Sequence, residues 1–119
     1  MKELDKIVEN YLGHVTADYV GLWQIASHIR YDLGVHDNRE VKEKTLLVVR
    51  GLLEHGLRPG DYVHPAFKFW KEHDADSIIA RIDREWDPRR GDPNLEIPIC
   101  WFDALPGTKA YADHGFRRP

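Results

Sequence analysis

The end of the longest helical pattern constrains this chain most. Leucine and valine residues recur at helical spacing as far as Leu53, and Gly56 and Leu57 then interrupt the pattern. Gly56 is the residue type that closes a helix in the left-handed conformation, and Leu57 is placed to fold back onto the last turn. Pro59-Gly60 favours a tight turn that redirects the chain. A helical part therefore ends here, and a different kind of structure begins.

The part of the chain before this stop predicts three amphipathic helices. Apolar residues recur there at three- and four-residue spacing in three stretches. The first stretch ends near Gly13, and the second begins with Thr16 as its cap and ends before Gly34. The third begins at Asp37, which has capping-box-like spacing to Glu40. The second and third helices are joined by a few residues only, so we expect them to pack as neighbours.

The part after the stop mixes extended and helical patterns. Residues 62–70 are aromatic and β-prone, but Pro65 interrupts them and favours an edge strand or an extended segment. Asp74 is a cap for a fourth helix that ends near Pro88. Residues 97–102 have the pattern of a short buried strand.

Together these patterns predict an α+β, mainly helical fold. We expect a three-helix core, a fourth helix and a small two-stranded sheet, with a winged-helix-like arrangement as an alternative. The length of 119 residues suits one domain. We assign that domain to residues 1–104 and a partly ordered tail to residues 105–119.

Composition narrows the function. The net charge of −3 makes a nucleic-acid partner unfavourable, because such binding requires a concentrated basic face. The single cysteine, Cys100, excludes an internal disulfide, and no apolar run approaches the length of a membrane span. We therefore expect a cytoplasmic protein without a membrane partner. The four tryptophans are expected to anchor the core.

No pattern of catalytic or metal-binding residues emerges. His28 with Asp32, and His73 with Asp74, are chemically suitable ligand pairs, but a zinc site needs three or four convergent ligands. Cys100 lies in an apolar run that would bury it, whereas a reactive thiolate needs an electropositive and partly open setting. We expect no enzyme activity, no metal and no cofactor.

The fourth predicted helix carries an acidic flank beside its apolar face. Asp76, Asp83 and Asp87 follow one another there at spacings of seven and four residues. Like charges one turn apart are mildly unfavourable unless a basic group offsets them. One interpretation is a solvated flank compensated by salt and nearby arginines. The other is a surface for a basic protein partner, with Phe69 or Trp70 as an exposed aromatic anchor.

A DNA-binding regulator is the alternative function. In a winged-helix-like fold the third helix would be the recognition helix, and Arg39 and Lys42 would contact the DNA together with Lys44 and Arg50. Glutamates are interleaved with these bases. A surface that faces phosphates normally avoids such a mixture, so this alternative is the weaker one.

Four short motifs carry a family resemblance. They are Gly21-Leu22-Trp23-x-Ile25, Leu52-Leu53-Glu54-x-Gly56-Leu57-x-Pro59-Gly60-Asp61, Arg84-Glu85-Trp86 and Ile99-Cys100-Trp101-Phe102. This pattern resembles a group of small uncharacterised bacterial proteins, which are similar in size and mild acidity to toxin-immunity proteins. This similarity in size and charge, together with the acidic flank and the absence of catalytic patterns, leads us to expect a protein-binding module that neutralises a basic toxin by occluding its active site. The resemblance carries no catalytic residues over to this chain.

Overall fold

The computed structural model describes residues 2–15 and 18–104. The helices are α1 (Lys2–His14), α2 (Leu22–Ser27, continued by a π-helical turn, His28–Asp32), α3 (Asn38–Glu54) and α4 (Ala75–Glu85), followed by a 3₁₀ turn at Pro88–Arg90. The strands are β1 (Val20–Gly21), β2 (Leu57–Val63), β3 (Ala66–Phe69) and β4 (Trp101–Ala104). The predicted Thr16 cap and the predicted tail, 105–119, lie outside the described residues.

The four strands form one antiparallel sheet in the order β1-β4-β2-β3. The α+β, mainly helical fold class is therefore confirmed, but the prediction of two strands was too small. Two features escaped the pattern: β1 has only two residues, and Pro65 lies in the turn between β2 and β3 instead of interrupting one strand. The order of the elements remains compatible with the winged-helix-like alternative, in which β3 and α4 would be insertions before the last strand.

The transition from α3 to β2 confirms the helix stop but not the turn. Gly56 has a φ of 94°, the left-handed conformation expected of a helix-closing glycine. Pro59 and Gly60, predicted to form a tight turn, instead lie inside β2. Pro59 pairs with Phe102 of β4 on one side, but its backbone polar groups face the other side, where its neighbour is Trp70, beyond the end of β3. There the Trp70 amide donates to the Pro59 carbonyl at 3.0 Å. Pro59 therefore costs no bond of the β2–β3 ladder.

The second helix begins later than the sequence predicted. Residues 18–21 are not helical, because Val20 and Gly21 pair with Phe102 and Trp101 of β4. The helix starts at Leu22, and the Gln24 side chain accepts a hydrogen bond from the Gly21 amide at 2.7 Å. The apolar stripe was correctly recognised, but sheet pairing displaced its first turn.

The predicted caps of the other helices are confirmed. The Asp37 carboxylate accepts a hydrogen bond from the Arg39 amide at 2.8 Å, and that of Asp74 accepts one from the Ser77 amide at 2.9 Å. The Ser77 amide also holds the pKa of Asp74 below its usual value. Apolar side chains from all four helices and the sheet form one core, in which Leu22, Ile25, Ile29, Leu52, Leu57, Ile78, Ile82 and Phe102 are fully buried.

None of the helices in the described ranges combines the length and apolarity needed to cross a membrane.

Tyr11 links α1 to α2 by a hydrogen bond, and its buried phenol is expected to make the protein less stable as the pH becomes alkaline. Its side chain is 4% exposed, and its hydroxyl donates to the Gln24 carbonyl at 3.0 Å. Burial, and secondarily the charge of Asp32, raise the pKa of Tyr11 from 10.0 to about 12. The unfolded chain therefore loses this proton at lower pH than the folded chain. The stabilisation is complete below pH 10.0 and is lost as the pH rises towards 12.

We predict that wild-type protein loses about 2 to 3 kcal/mol more unfolding free energy than Tyr11→Phe between pH 9.5 and 12, at about 1.4 kcal/mol per pKa unit. Urea titrations of both proteins at each pH measure the difference. Parallel pH profiles for the two proteins would contradict the buried, protonated phenol.

Candidate functional site

The acidic flank of α4 is compensated within the chain. Asp76 lies 3.2 Å from Arg50 of α3, and Asp83 lies 2.9 Å from Lys42 of the same helix. Asp87 caps the 3₁₀ turn and pairs with Arg89, whose hydrogen bonds hold the pKa of Asp87 below its usual range. The structure therefore supplies the nearby basic side chains that a solvated, internally compensated flank requires.

The two predicted aromatic anchors lie in different environments. Trp70 is 4% exposed, so the prediction that it is an exposed anchor is wrong. Its indole donates to Asp61 at 3.0 Å, and the Arg81 guanidinium stacks over its ring at 3.6 Å from the centroid. Phe69, by contrast, is partly exposed and contacts Phe67. The structure therefore does not bring the predicted partner-binding residues onto one surface.

The outer face of the sheet carries a cluster of aromatic side chains that the sequence did not reveal. Cross-strand partners lie on the same face of a sheet, and the register pairs Gly60 with both Trp101 and Phe69, and Tyr62 with Phe67. Two rings from outside β2, β3 and β4 join them. We call this surface the aromatic face; it consists of Tyr19, Trp23, Tyr62, Phe67, Phe69 and Trp101, all partly exposed.

Each ring of the aromatic face contacts at least one neighbouring ring. Tyr19 stacks on Phe67 with centroids 4.6 Å apart and an interplanar angle of 9°. Tyr62 lies edge-on to Trp101 at 5.7 Å, and Trp101 lies edge-on to Trp23 at 6.4 Å. Edge-on and stacked pairs hold each ring in a defined orientation. The result is a wide, rigid, amphipathic surface with an exposed histidine, His64, at the hairpin end, bonded to the Tyr62 hydroxyl at 2.9 Å.

Two glycines make room for these rings. A Cβ atom on Gly60 would lie 2.7 Å from the Phe67 ring and 2.5 Å from the Lys68 carbonyl oxygen. A Cβ atom on Gly21 would lie 2.5 Å from the Trp23 indole nitrogen and 3.0 Å from the Trp101 ring. The rings therefore rest directly on glycine backbone, and any larger residue at either position would displace them.

The basic residues of α3 serve largely internal contacts. The Lys42 ammonium donates to the backbone carbonyls of Asp83 and Trp86, at 3.0 and 2.8 Å, at the C-terminal end of α4. Lys44 pairs with Glu40 at 3.8 Å, and Arg50 pairs with Asp76. Arg39 is exposed. A lysine that satisfies helix carbonyls is not placed for phosphate binding, so the predicted DNA contact by Lys42 has no support.

Cys100 and the histidines form no catalytic grouping in the described parts of the chain. Cys100 is buried, and burial followed by the charge of Glu85 raises the pKa of its thiol well above the usual value. This setting keeps the thiol protonated and unreactive. His28 lies 3.6 Å from Asp32, but within 2–15 and 18–104 no three His, Cys, Asp or Glu side chains converge as metal ligands would.

A weak signal for the aromatic face was present in the sequence. Tyr62, Phe67 and Phe69 lie in one β-prone stretch, and Phe67 and Phe69 have the two-residue spacing of a strand face. Trp23 and Trp101 were instead expected in the core, where only Trp70 and Trp86 are buried. Only the register of β4 against β1 and β2 places the distant rings together.

Comparison with models of known protein families, with curated protein sequences and with solved structures finds no match to this chain.

We predict that Gly60→Ala destabilises the protein by about 2 kcal/mol, because the added methyl group forces Phe67 or the β3 backbone to move. Gly13→Ala is the matched control, since a Cβ atom there meets nothing within 4 Å. Urea denaturation of both variants measures the difference. Equal stability of Gly60→Ala and wild type would show that the rings do not rest tightly on the glycine.

We predict that Lys42→Met costs about 1 to 2 kcal/mol of unfolding free energy, because the last carbonyls of α4 lose a charged donor. Lys44→Met removes the same charge from the same helix, but its ion pair is on the surface and should cost less than about 0.5 kcal/mol. Thermal and urea denaturation compare the two. A larger loss in Lys44→Met would refute the capping role of Lys42.

Proposed function

We propose that this chain is a protein-binding module without catalytic activity, and that the aromatic face is its binding surface. The observation that carries the proposal is the set of six partly exposed rings, held in place by one another and by glycine backbone. Tyrosine and tryptophan are enriched at the energetically dominant positions of protein interfaces. Rings that are already oriented lose little conformational entropy on binding.

The aromatic face replaces the acidic flank of α4 as the proposed interface. Asp76, Asp83 and Asp87 each have a cation of this chain within hydrogen-bonding distance. A basic partner would have to compete with those contacts for a gain that exposed ion pairs rarely provide. Phe69 is the one residue of the predicted interface that belongs to the aromatic face.

We further propose that the partner is a toxin and that this chain is a bacterial immunity protein that occludes the toxin's active site. The support is indirect: the proteins that the four short motifs resemble are similar to immunity proteins in size and mild acidity, and the net charge of −3 favours association with a basic protein. Occlusion requires a rigid, adhesive surface and no reactive group. The buried, protonated Cys100 thiol is consistent with such a role.

The test is co-expression of this chain with toxins encoded beside its gene. We expect relief of toxicity by one of them and a stable complex on size-exclusion chromatography. If every adjacent product is harmless, or if toxicity persists at full expression of this chain, the immunity role is wrong.

Variants then locate the interface in that complex. We predict that Phe69→Ala weakens binding about tenfold or more, measured by calorimetry, because it removes an interfacial ring. Leu47→Ala is the control, since Leu47 is an exposed apolar residue on α3. Replacement of Asp76, Asp83 and Asp87 by asparagine should change affinity little. Loss of binding in the asparagine variant, with Phe69→Ala unaffected, would return the interface to α4.

A further inference from the structure

The aromatic face continues to the edge of the sheet at β3, beside which residues 2–15 and 18–104 place no further strand. The strand order places β3 at one border of the sheet, and β1, at the other border, has only two residues. The Trp70 amide points towards β2, where it donates to Pro59. Because amides alternate in direction along an antiparallel strand, the amides of Phe67 and Phe69 point away from the sheet. No described residue accepts a hydrogen bond from either of them.

The charges along β3 favour a strand that carries a carboxylate, as a local feature of a partner that is basic as a whole. Lys68 lies between Phe67 and Phe69, whose amides point away from the sheet, and its side chain is exposed. Lys71, just beyond the strand, is exposed as well. Neither lysine has a carboxylate within ion-pair distance among the described residues. The cross-strand neighbour of Lys68 is Asp61, whose carboxylate accepts the hydrogen bond from Trp70. A carboxylate opposite Lys68 on an added strand would supply the missing partner.

A second copy of this chain would pair with the same edge unfavourably in two of its possible registers. Two β3 strands related by a two-fold axis would pair Phe67 with Phe69 of the other copy. That register sets Lys68 directly opposite the other Lys68, and like charges in this position are unfavourable. Moving the register so that the two Phe67 residues face each other sets Phe69 against Pro65, which has no amide to donate.

We propose that β3 binds an extended segment of the partner protein as a fifth strand. The segment alternates apolar side chains, which lie on the aromatic face beside Phe67 and Phe69, with an acidic side chain opposite Lys68. The backbone of the segment pairs with the amides and carbonyls of Phe67 and Phe69. This inference rests on the proposed function, because it describes how the protein partner would be recognised.

The test uses two blocked eight-residue peptides, one alternating valine with glutamate and the other alternating valine with lysine. Amide hydrogen exchange is followed by NMR in the full chain. With the glutamate peptide we expect the Phe67 and Phe69 amides to exchange at least about tenfold more slowly, while the Lys68 amide, already paired with β2, changes little. Unchanged exchange at Phe67 and Phe69, or equal binding of both peptides, would overturn the inference.

Lys68→Glu provides the matched control, because its side chain is exposed and takes no part in the ladder. It should reverse the preference and favour the lysine peptide about threefold to tenfold. An unchanged preference would contradict the role of Lys68. The two proposals also fail differently. If toxin binding needs Phe69 but leaves the amides of Phe67 and Phe69 unprotected, the aromatic face is upheld and strand addition is overturned. If the glutamate peptide protects those amides, strand addition is supported even when no adjacent gene encodes a toxin.

Discussion

The pairing of β4 with both β1 and β2 is the interaction on which the rest of the structure depends. Val20 and Gly21 are extended because they pair with Phe102 and Trp101. On its other edge, β4 pairs with β2 from Leu57 to Gly60. The fully buried Phe102 points into the core, and Trp101 points to the aromatic face. This four-residue strand therefore joins β1 to β2 in one sheet and keeps residues 20–21 extended, so that α2 begins only at Leu22. It also connects the two sides of the aromatic face.

The helices were largely predictable because their signals are local. The stripe of apolar residues, the Asp37 and Asp74 caps and the Gly56 stop each act within a few residues, and all of them are found in the structure. The sheet was predicted only in part because its pairing joins residues far apart in the chain. Pro59-Gly60 was therefore predicted to be a turn. Its place within β2 can be explained only when the strands are aligned, because no β3 residue then lies opposite Pro59 and the Phe67 ring lies over Gly60.

The same distinction separates the two surfaces considered for binding. The acidic flank of α4 was visible in the sequence because its aspartates repeat at helical spacing, but their partners Arg50 and Lys42 lie on another helix. The aromatic face has no such repeat, since its rings come from β2, β3, β4, the residue before β1 and the first turn of α2. The three aspartates of the acidic flank are thus compensated within the chain, whereas the sheet presents aromatic residues that remain partly exposed.

The position of β4 also bears on how the surface arises during synthesis. Chains are synthesised from the N-terminal end, so the segments that form α1, α2 and α3 are made before β4. The central gap in the sheet stays open until residues 101–104 have been made, because only they bridge β1 and β2. Trp101 cannot reach its place between Gly21 and Gly60 before then. The aromatic face is consequently incomplete in any nascent chain that has not yet reached residue 101.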